Sequence, residues 1–336
     1  MSVSSKGRCR CFLFMSGFDK ILCFCLFVLF VGETIYTPVI KRYLVSGNKS
    51  KHTSFQLAGN PLQEVKMGAT SGVIVREFIH TFPSISGSVE KIILGACSVD
   101  DAMFGDVVAA VQQHNVLREL KIDHSSISSL DKLKSLGASI TALDFSFNRL
   151  NSISRNDFQS VVNLKSLKLS GNKLQDSSGL EHLIHLTDLW LDQNQISNIT
   201  SLKKLRNLTI VRLYANRITN LDVFADKTKL RYLDLTQNEI TDISPLGNLI
   251  DLQQLDIDNN KVSNISALYN LQLSAVLLGG NDPVINKTEI VRLQEKLGPA
   301  FGCAFYNDES LCSVRAPRHC RNCIFCAGTD VLCKDM

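Results

Sequence analysis

Apolar residues recur along this chain in a fixed motif. From Leu164 onward, the segments LKSLKLSGN, LTDLWLDQN (from Leu186), LTIVRLYAN (from Leu208), LRYLDLTQN (from Leu230) and LQQLDIDNN (from Leu252) begin 22 residues apart. Looser copies begin upstream at Ile140, Leu117 and Val89 and downstream at Leu273, for nine copies in all. Within a copy, alternating apolar positions such as Leu233 and Leu235 predict a short strand with one face in the core and the other facing outward. Seven copies then place asparagine at the ninth position: Asn148, Asn172, Asn194, Asn216, Asn238, Asn260 and Asn281. The first two copies carry Cys97 and Ser125 there. A buried amide side chain at a strand end can satisfy backbone groups left without ladder partners.

The second half of each unit repeats as well. Ile240, Ile243, Leu246 and Leu249 follow Asn238, and Ile218, Leu221 and Phe224 follow Asn216. These residues predict a return segment that closes the core from below. A single unit cannot bury its own apolar face, so neighbouring units must stack.

The L-x-x-L-x-L-x-x-N pattern resembles the leucine-rich-repeat family across residues 89–282. The 22-residue copies are similar to the repeats of bacterial internalins and of the leucine-rich-repeat regulatory subunit of protein phosphatase 1. The first copy, 28 residues long with Cys97 in the asparagine position, is closer to the ribonuclease-inhibitor type. The resemblance implies an α/β solenoid, a curved array with short parallel strands on its concave face and a cap at each end. It says nothing of the partner, because this scaffold hosts many functions.

The flanks divide by composition. Residues 1–20 form a basic tail, and 21–40 contain the unbroken apolar run ILCFCLFVLFVG preceded by Lys6, Arg8, Arg10 and Lys20. This layout reads as a signal peptide or as an uncleaved signal anchor. Residues 41–88 are the expected N-terminal flank and cap, and 283–302 the C-terminal capping helix. In that helix Asn286-Lys-Thr-Glu289 reads as a capping box ahead of Ile290, Leu293 and Leu297. The tail, 303–336, holds Cys303, Cys312, Cys320, Cys323, Cys326 and Cys333. With an export signal at the other end, disulfides are the favoured reading over a zinc site.

The net charge of +4 lacks any dense basic block with interleaved aromatics, which gives no case for nucleic acid. No catalytic constellation, cofactor motif or metal site stands out. His182 and His185 read as solvated surface on a return segment, and Asp256-x-Asp258-x-Asn260 fails as a calcium loop because Lys261 replaces the needed glycine. Five Asn-x-Ser/Thr sites, at Asn48, Asn198, Asn207, Asn264 and Asn286, would permit glycosylation in the secretory pathway.

Binding residues are therefore sought among the outward strand positions. Trp190, the only tryptophan in the chain, stands there near Arg212, Tyr214 and Tyr232. These are residue types that dominate interface hot spots. The same surface is acidic. Lys91, Lys121, Lys168 and Arg212 face Glu119, Asp123, Asp144, Asp188, Asp192, Asp234, Asp256 and Asp258. The expectation is a non-catalytic, secreted or membrane-anchored module in the secretory pathway. It would bind a protein with a basic patch through Trp190, Arg212, Tyr214, Tyr232, Asp234, Asp256 and Asp258, and touch the membrane through residues 21–40 if they are retained. The alternative is an intracellular regulatory subunit similar to the phosphatase regulator.

Overall fold

The computed structural model describes residues 64–68, 75–76, 79–80, 89–112, 116–297 and 302–305. Their strands are β1 (Glu64–Gly68), β2 (Lys91–Gly95), β3 (Glu119–Lys121), β4 (Ala142–Asp144), β5 (Ser166–Lys168) and β6 (Asp188–Trp190). They continue with β7 (Ile210–Arg212), β8 (Tyr232–Asp234), β9 (Gln254–Asp256), β10 (Ala275–Leu277) and β11 (Gly302–Phe305). All lie in one sheet whose spatial order is the chain order, and every neighbouring pair is parallel. Strands β2 to β10 each begin two residues after a motif start, so all nine copies share one register.

Parallel neighbours need a crossover, and the return segments supply it. The first copy has room for a true helix, α1 (Asp101–Val111). Asp100 caps it by accepting from the Met103 N–H at 2.8 Å, and it buries Met103, Phe104, Val107, Val108 and Val111. Several of the shorter copies return instead through a single 3-10 turn, such as Thr200–Lys204, Ser244–Asn248 and Ser266–Asn270. Strand residues such as Leu189 and Leu191 meet return residues such as Ile196, Ile199, Leu202 and Leu205 in one continuous buried core.

The asparagines form the expected ladder, and each joins two repeats. Asn216 Nδ2 donates to the carbonyls of Leu213 in its own repeat and Leu191 in the preceding one, both at 3.0 Å. Its Oδ1 accepts from the Ile196 N–H at 2.9 Å. Asn148, Asn172, Asn194, Asn238, Asn260 and Asn281 repeat this pattern. Ser125 takes over half the role, its Oγ accepting from the Val99 N–H at 3.3 Å. The Cys97 thiol donates to the Gly95 carbonyl at 3.4 Å.

A second ladder, not anticipated from the motif, starts the return turns. Asp176, Asn198, Asn220, Asp242 and Asn264 each accept, through Oδ1, from the backbone N–H two residues on. Such Asx turns mimic a backbone turn. They give a structural origin for two of the glycosylation signals, since Thr200 and Ser266 are the turn partners of Asn198 and Asn264.

After the first repeat, which has two (Ala96 and Ser98), one position in each strand-to-turn corner is left-handed. Phe147, Gln193, Ala215, Gln237 and Asn259 have φ between 52° and 55° there, and Gly171 has 68°. A Cβ on Gly171 would lie 2.4 Å from the Phe147 ring, so the glycine serves both the turn and the packing of its neighbour.

A lysine interrupts the leucine column of the return segments. Leu183, Leu205, Leu249 and Leu271 occupy equivalent core positions, but the copy between Leu205 and Leu249 has Lys227, which is 0% exposed. Its ammonium donates to the carbonyls of Leu202 at 2.7 Å and Leu205 at 3.3 Å.

The C-terminal helix, α2 (Lys287–Leu297), buries Ile290 and Leu293 as expected. The capping box does not form. Asn286 Oδ1 accepts from the Thr288 N–H at 2.9 Å, while the Glu289 carboxylate is engaged by the Tyr269 hydroxyl of the last turn. Arg292 stacks over the same Tyr269 ring, with 4.8 Å to the centroid. The sheet then resumes with β11, which contains Cys303, beyond the capping helix. On the other side, β1 lies within the expected N-terminal flank and pairs with β2. Residues 1–40, Cys312, Cys320, Cys323, Cys326 and Cys333 lie outside the described residues. Among the described residues no helix is long and apolar enough to cross a membrane.

Candidate interaction face

Strands β2 to β9 present three outward columns. The central one runs Ile93, Lys121, Asp144, Lys168, Trp190, Arg212, Asp234 and Asp256, with strand registers Lys168↔Trp190, Trp190↔Arg212, Arg212↔Asp234 and Asp234↔Asp256. Alternation places these side chains on the face opposite the leucines, and the parallel ladder brings them side by side.

Charge along this face is divided between its two halves. In β2 to β5 and the residues just after them, Lys91 pairs with Glu119 at 3.0 Å. Lys121 reaches Asp144 at 2.9 Å and Asp123 at 3.6 Å. Here three lysines stand against three carboxylates. In β6 to β9, Arg212 alone stands against Asp188, Asp192, Asp234, Asp256 and Asp258. The negative charge anticipated for the whole face therefore resides in its C-terminal half.

Trp190 holds the boundary. Lys168 Nζ lies 3.6 Å from its ring centroid and Arg212 Cζ 4.8 Å, each arriving from the neighbouring strand. The tryptophan is half-buried, not a freely exposed anchor. Stacked cations give its ring an electrostatic reason to stay ordered at the surface.

The carboxylates are more enclosed than outward polar positions would be on a flat sheet. Asp192, Asp234 and Asp256 are only 5%, 7% and 6% exposed. Arg212 lies 3.7 Å from Asp192 and 3.9 Å from Asp234, too far for a hydrogen bond to either. Asp192 Oδ2 accepts from the Ser170 hydroxyl at 2.9 Å and the Tyr214 N–H lies near the carboxylate, but its Oδ1 meets no donor in hydrogen-bonding geometry and Arg212 Nε finds no acceptor. Asp256 accepts from the Tyr232 hydroxyl at 2.8 Å. Asp234 accepts from the Thr236 N–H at 3.1 Å and Asp258 from the Gly279 N–H at 3.1 Å. Burial raises the pKa of Asp192 and Asp256 above the ordinary carboxylate value and pushes that of Asp258 up to about 6. Burial also raises the Tyr232 hydroxyl, aided by the adjacent Asp256 and Asp234.

The structure thus brings Trp190, Arg212, Asp234 and Asp256 into one row, with Tyr232 and Asp258 packed beside its acidic end. Tyr214 follows β7 in the next column and is half-buried. Three features escaped the sequence reading: Lys168 as a partner of Trp190, the burial of the aspartates, and the state of His182. The expected solvated His182 is half-buried, with both ring nitrogens enclosed and without hydrogen-bond partners; His185 is exposed as expected. Among the described residues no cluster of three or more acidic, histidine or cysteine side chains converges as metal ligands.

Comparison with known proteins agrees with this architecture. A family model described as "Leucine Rich repeats (2 copies)" matches residues 162–204 and 228–270, and one described as "Leucine rich repeat" matches 115–174. No curated protein sequence matches the chain. Among solved structures, internalin C2 of Listeria monocytogenes is 29% identical over 61% of this chain and 92% of its own, with a TM-score of 0.50. Internalin F of the same organism is 20% identical over 73% of this chain and 79% of its own, with a TM-score of 0.51, a likeness of fold.

Proposed function

Since the chain is a leucine-rich-repeat protein, we propose that it is a non-catalytic recognition module that binds another protein, one bearing a basic patch, on its concave face. The single observation that carries this reading is the row from Lys168 through Trp190 and Arg212 to Asp234 and Asp256. An ordered aromatic flanked by cations and followed by enclosed carboxylates has no role in the leucine core behind it. It has the composition of an interface centre, rich in Trp, Tyr and Arg. In this reading the module is secreted or membrane-anchored. Residues 21–40 act as signal or anchor, the cysteines of 303–336 form a disulfide-bonded cap, and the sequons are open to glycosylation.

The test is capture of partners from host extracts by the full chain and by a Trp190→Ala, Tyr214→Ala double variant, with melting curves measured alongside. The double variant should melt close to wild type and lose its partners. Unchanged capture by a folded variant would remove the concave face as the binding site.

A further inference from the structure

Three properties of the C-terminal half of the face point to one kind of ligand. The first is uncompensated charge: five carboxylates on β6 to β9 and the turns after them share one arginine. The second is unsatisfied bonding capacity. Asp192 is 5% exposed yet its Oδ1 has no donor, and Arg212, stretched between Asp192 and Asp234 at 3.7 and 3.9 Å, hydrogen-bonds neither. Buried carboxylates without donors cost stability, and an arriving cation would relieve that cost. The third is spacing. Asp234 and Asp256 come from successive strands, which stand about 4.8 Å apart in a sheet. Among the described residues no acidic side chains converge tightly enough to hold a metal ion. Carboxylates strung across strands suit an elongated ligand with several cationic groups.

We infer that the partner presents a lysine- or arginine-rich segment that lies across β7 to β9 and inserts its cationic side chains among Asp192, Asp234, Asp256 and Asp258. The inference rests on the concave face being the binding surface. The half formed by β2 to β5 offers such a segment no net attraction because Lys91, Lys121 and Lys168 balance Glu119, Asp123 and Asp144 in number, although the enclosed Asp123 Oδ1 there also lacks a hydrogen bond. Trp190 marks the edge of the docked segment and is placed to sense its arrival.

The interaction is also sensitive to mild acid. The charged groups acting on Asp258 are Asp256 on β9 and Asp234 on β8, and the Gly279 N–H after β10 donates to it, while β10 itself presents only Ala275 and Leu277. Burial and these like charges favour the protonated acid, so lowering the pH from 7 to 5 takes the charge from Asp258, the end of the acidic row, and weakens its hold on a cationic ligand.

The experiment uses the full chain and the fluorescence of Trp190, its only tryptophan. The probes are a decapeptide of alternating lysine and glycine and its glutamate counterpart, at low ionic strength where screening is weakest. The lysine peptide should change Trp190 emission saturably at pH 7, with affinity falling about tenfold or more by pH 5, and the glutamate peptide should do neither. Asp256→Asn combined with Asp258→Asn should weaken binding about tenfold at pH 7. Each asparagine keeps an acceptor for Tyr232 or the Gly279 N–H, and melting curves confirm the fold. Asp251→Asn, which removes an exposed carboxylate on the return side, should leave binding unchanged. Equal weakening by the two changes, or binding that ignores pH, overturns the inference. If the peptide arm fails while the Trp190→Ala, Tyr214→Ala variant still loses its natural partners, the concave reading stands and the cationic segment falls. If capture survives that variant, the concave reading itself falls.

Discussion

Lys227 offers a direct test of how this solenoid balances burial against charge. It stands where four sibling repeats have Leu183, Leu205, Leu249 and Leu271, and no part of it reaches solvent. Burial lowers its ammonium pKa from 10.5 to about 8. At about 1.4 kcal/mol for each tenfold change in proton affinity, keeping the charge inside at neutral pH costs about 3–4 kcal/mol. Replacing it with leucine removes that cost and also the hydrogen bonds to Leu202 and Leu205. The Leu202 carbonyl keeps a second donor, the Leu205 N–H at 3.0 Å, so the change deprives chiefly the Leu205 carbonyl, a loss of about 1 kcal/mol. Lys227→Leu should therefore stabilise the protein by about 1–2 kcal/mol at pH 7, raising Tm by several degrees. The pH dependence has a definite sign. Because the folded pKa lies below the unfolded one, the unfolded chain binds the extra proton between pH 8 and 10.5. Wild type thus gains stability as pH rises through that window, and the advantage of the leucine variant shrinks. Paired melts or urea titrations at pH 7, 9 and 10 decide the matter. A leucine variant that melts lower at pH 7, or an advantage that stays constant to pH 10, would show that the carbonyls hold the ammonium without penalty.

Three further outcomes follow from the same geometry. Asn238→Ala strands the buried N–H of Ile218 and removes one of the two amide donors from each of the Leu213 and Leu235 carbonyls, and should cost about 1–3 kcal/mol in urea unfolding. Asn151→Ala at an exposed site should cost almost nothing. Asp258→Asn should stabilise by about 1–2 kcal/mol at pH 7, a value discounted for partial exposure. The folded pKa of Asp258, about 6, lies above the ordinary 3.8, so wild type loses stability as pH rises from 4 to 6 and the difference from the variant vanishes below pH 4. Gly171→Ala forces a Cβ into the Phe147 ring and a left-handed alanine, for a loss of about 2 kcal/mol or more. In a Phe147→Ala background only the backbone part, about 1 kcal/mol, should remain.

The fold was legible because the repeat states it nine times. Period, strand position and the ladder asparagines all follow from local pattern, and parallel stacking in chain order is the arrangement that buries every leucine face at once. The same pattern placed Trp190, Arg212, Asp234 and Asp256 outward, since alternation along a strand decides which side a residue faces. What the pattern could not supply is what lies across from each residue. Lys227 reads as one more charge on a return loop, yet packing the next repeat places it among carbonyls 2.7 and 3.3 Å away. Glu289 reads as a capping residue until the last turn offers it the Tyr269 hydroxyl. The acidic outward columns read as a uniformly charged surface. Only the lateral register shows that Lys91 and Lys121 neutralise one half and leave Arg212 alone in the other. Local alternation is a property of a single strand and can be read along the chain. Charge pairing and burial depend on residues about 22 positions away, and those distances exist only once the repeats are stacked.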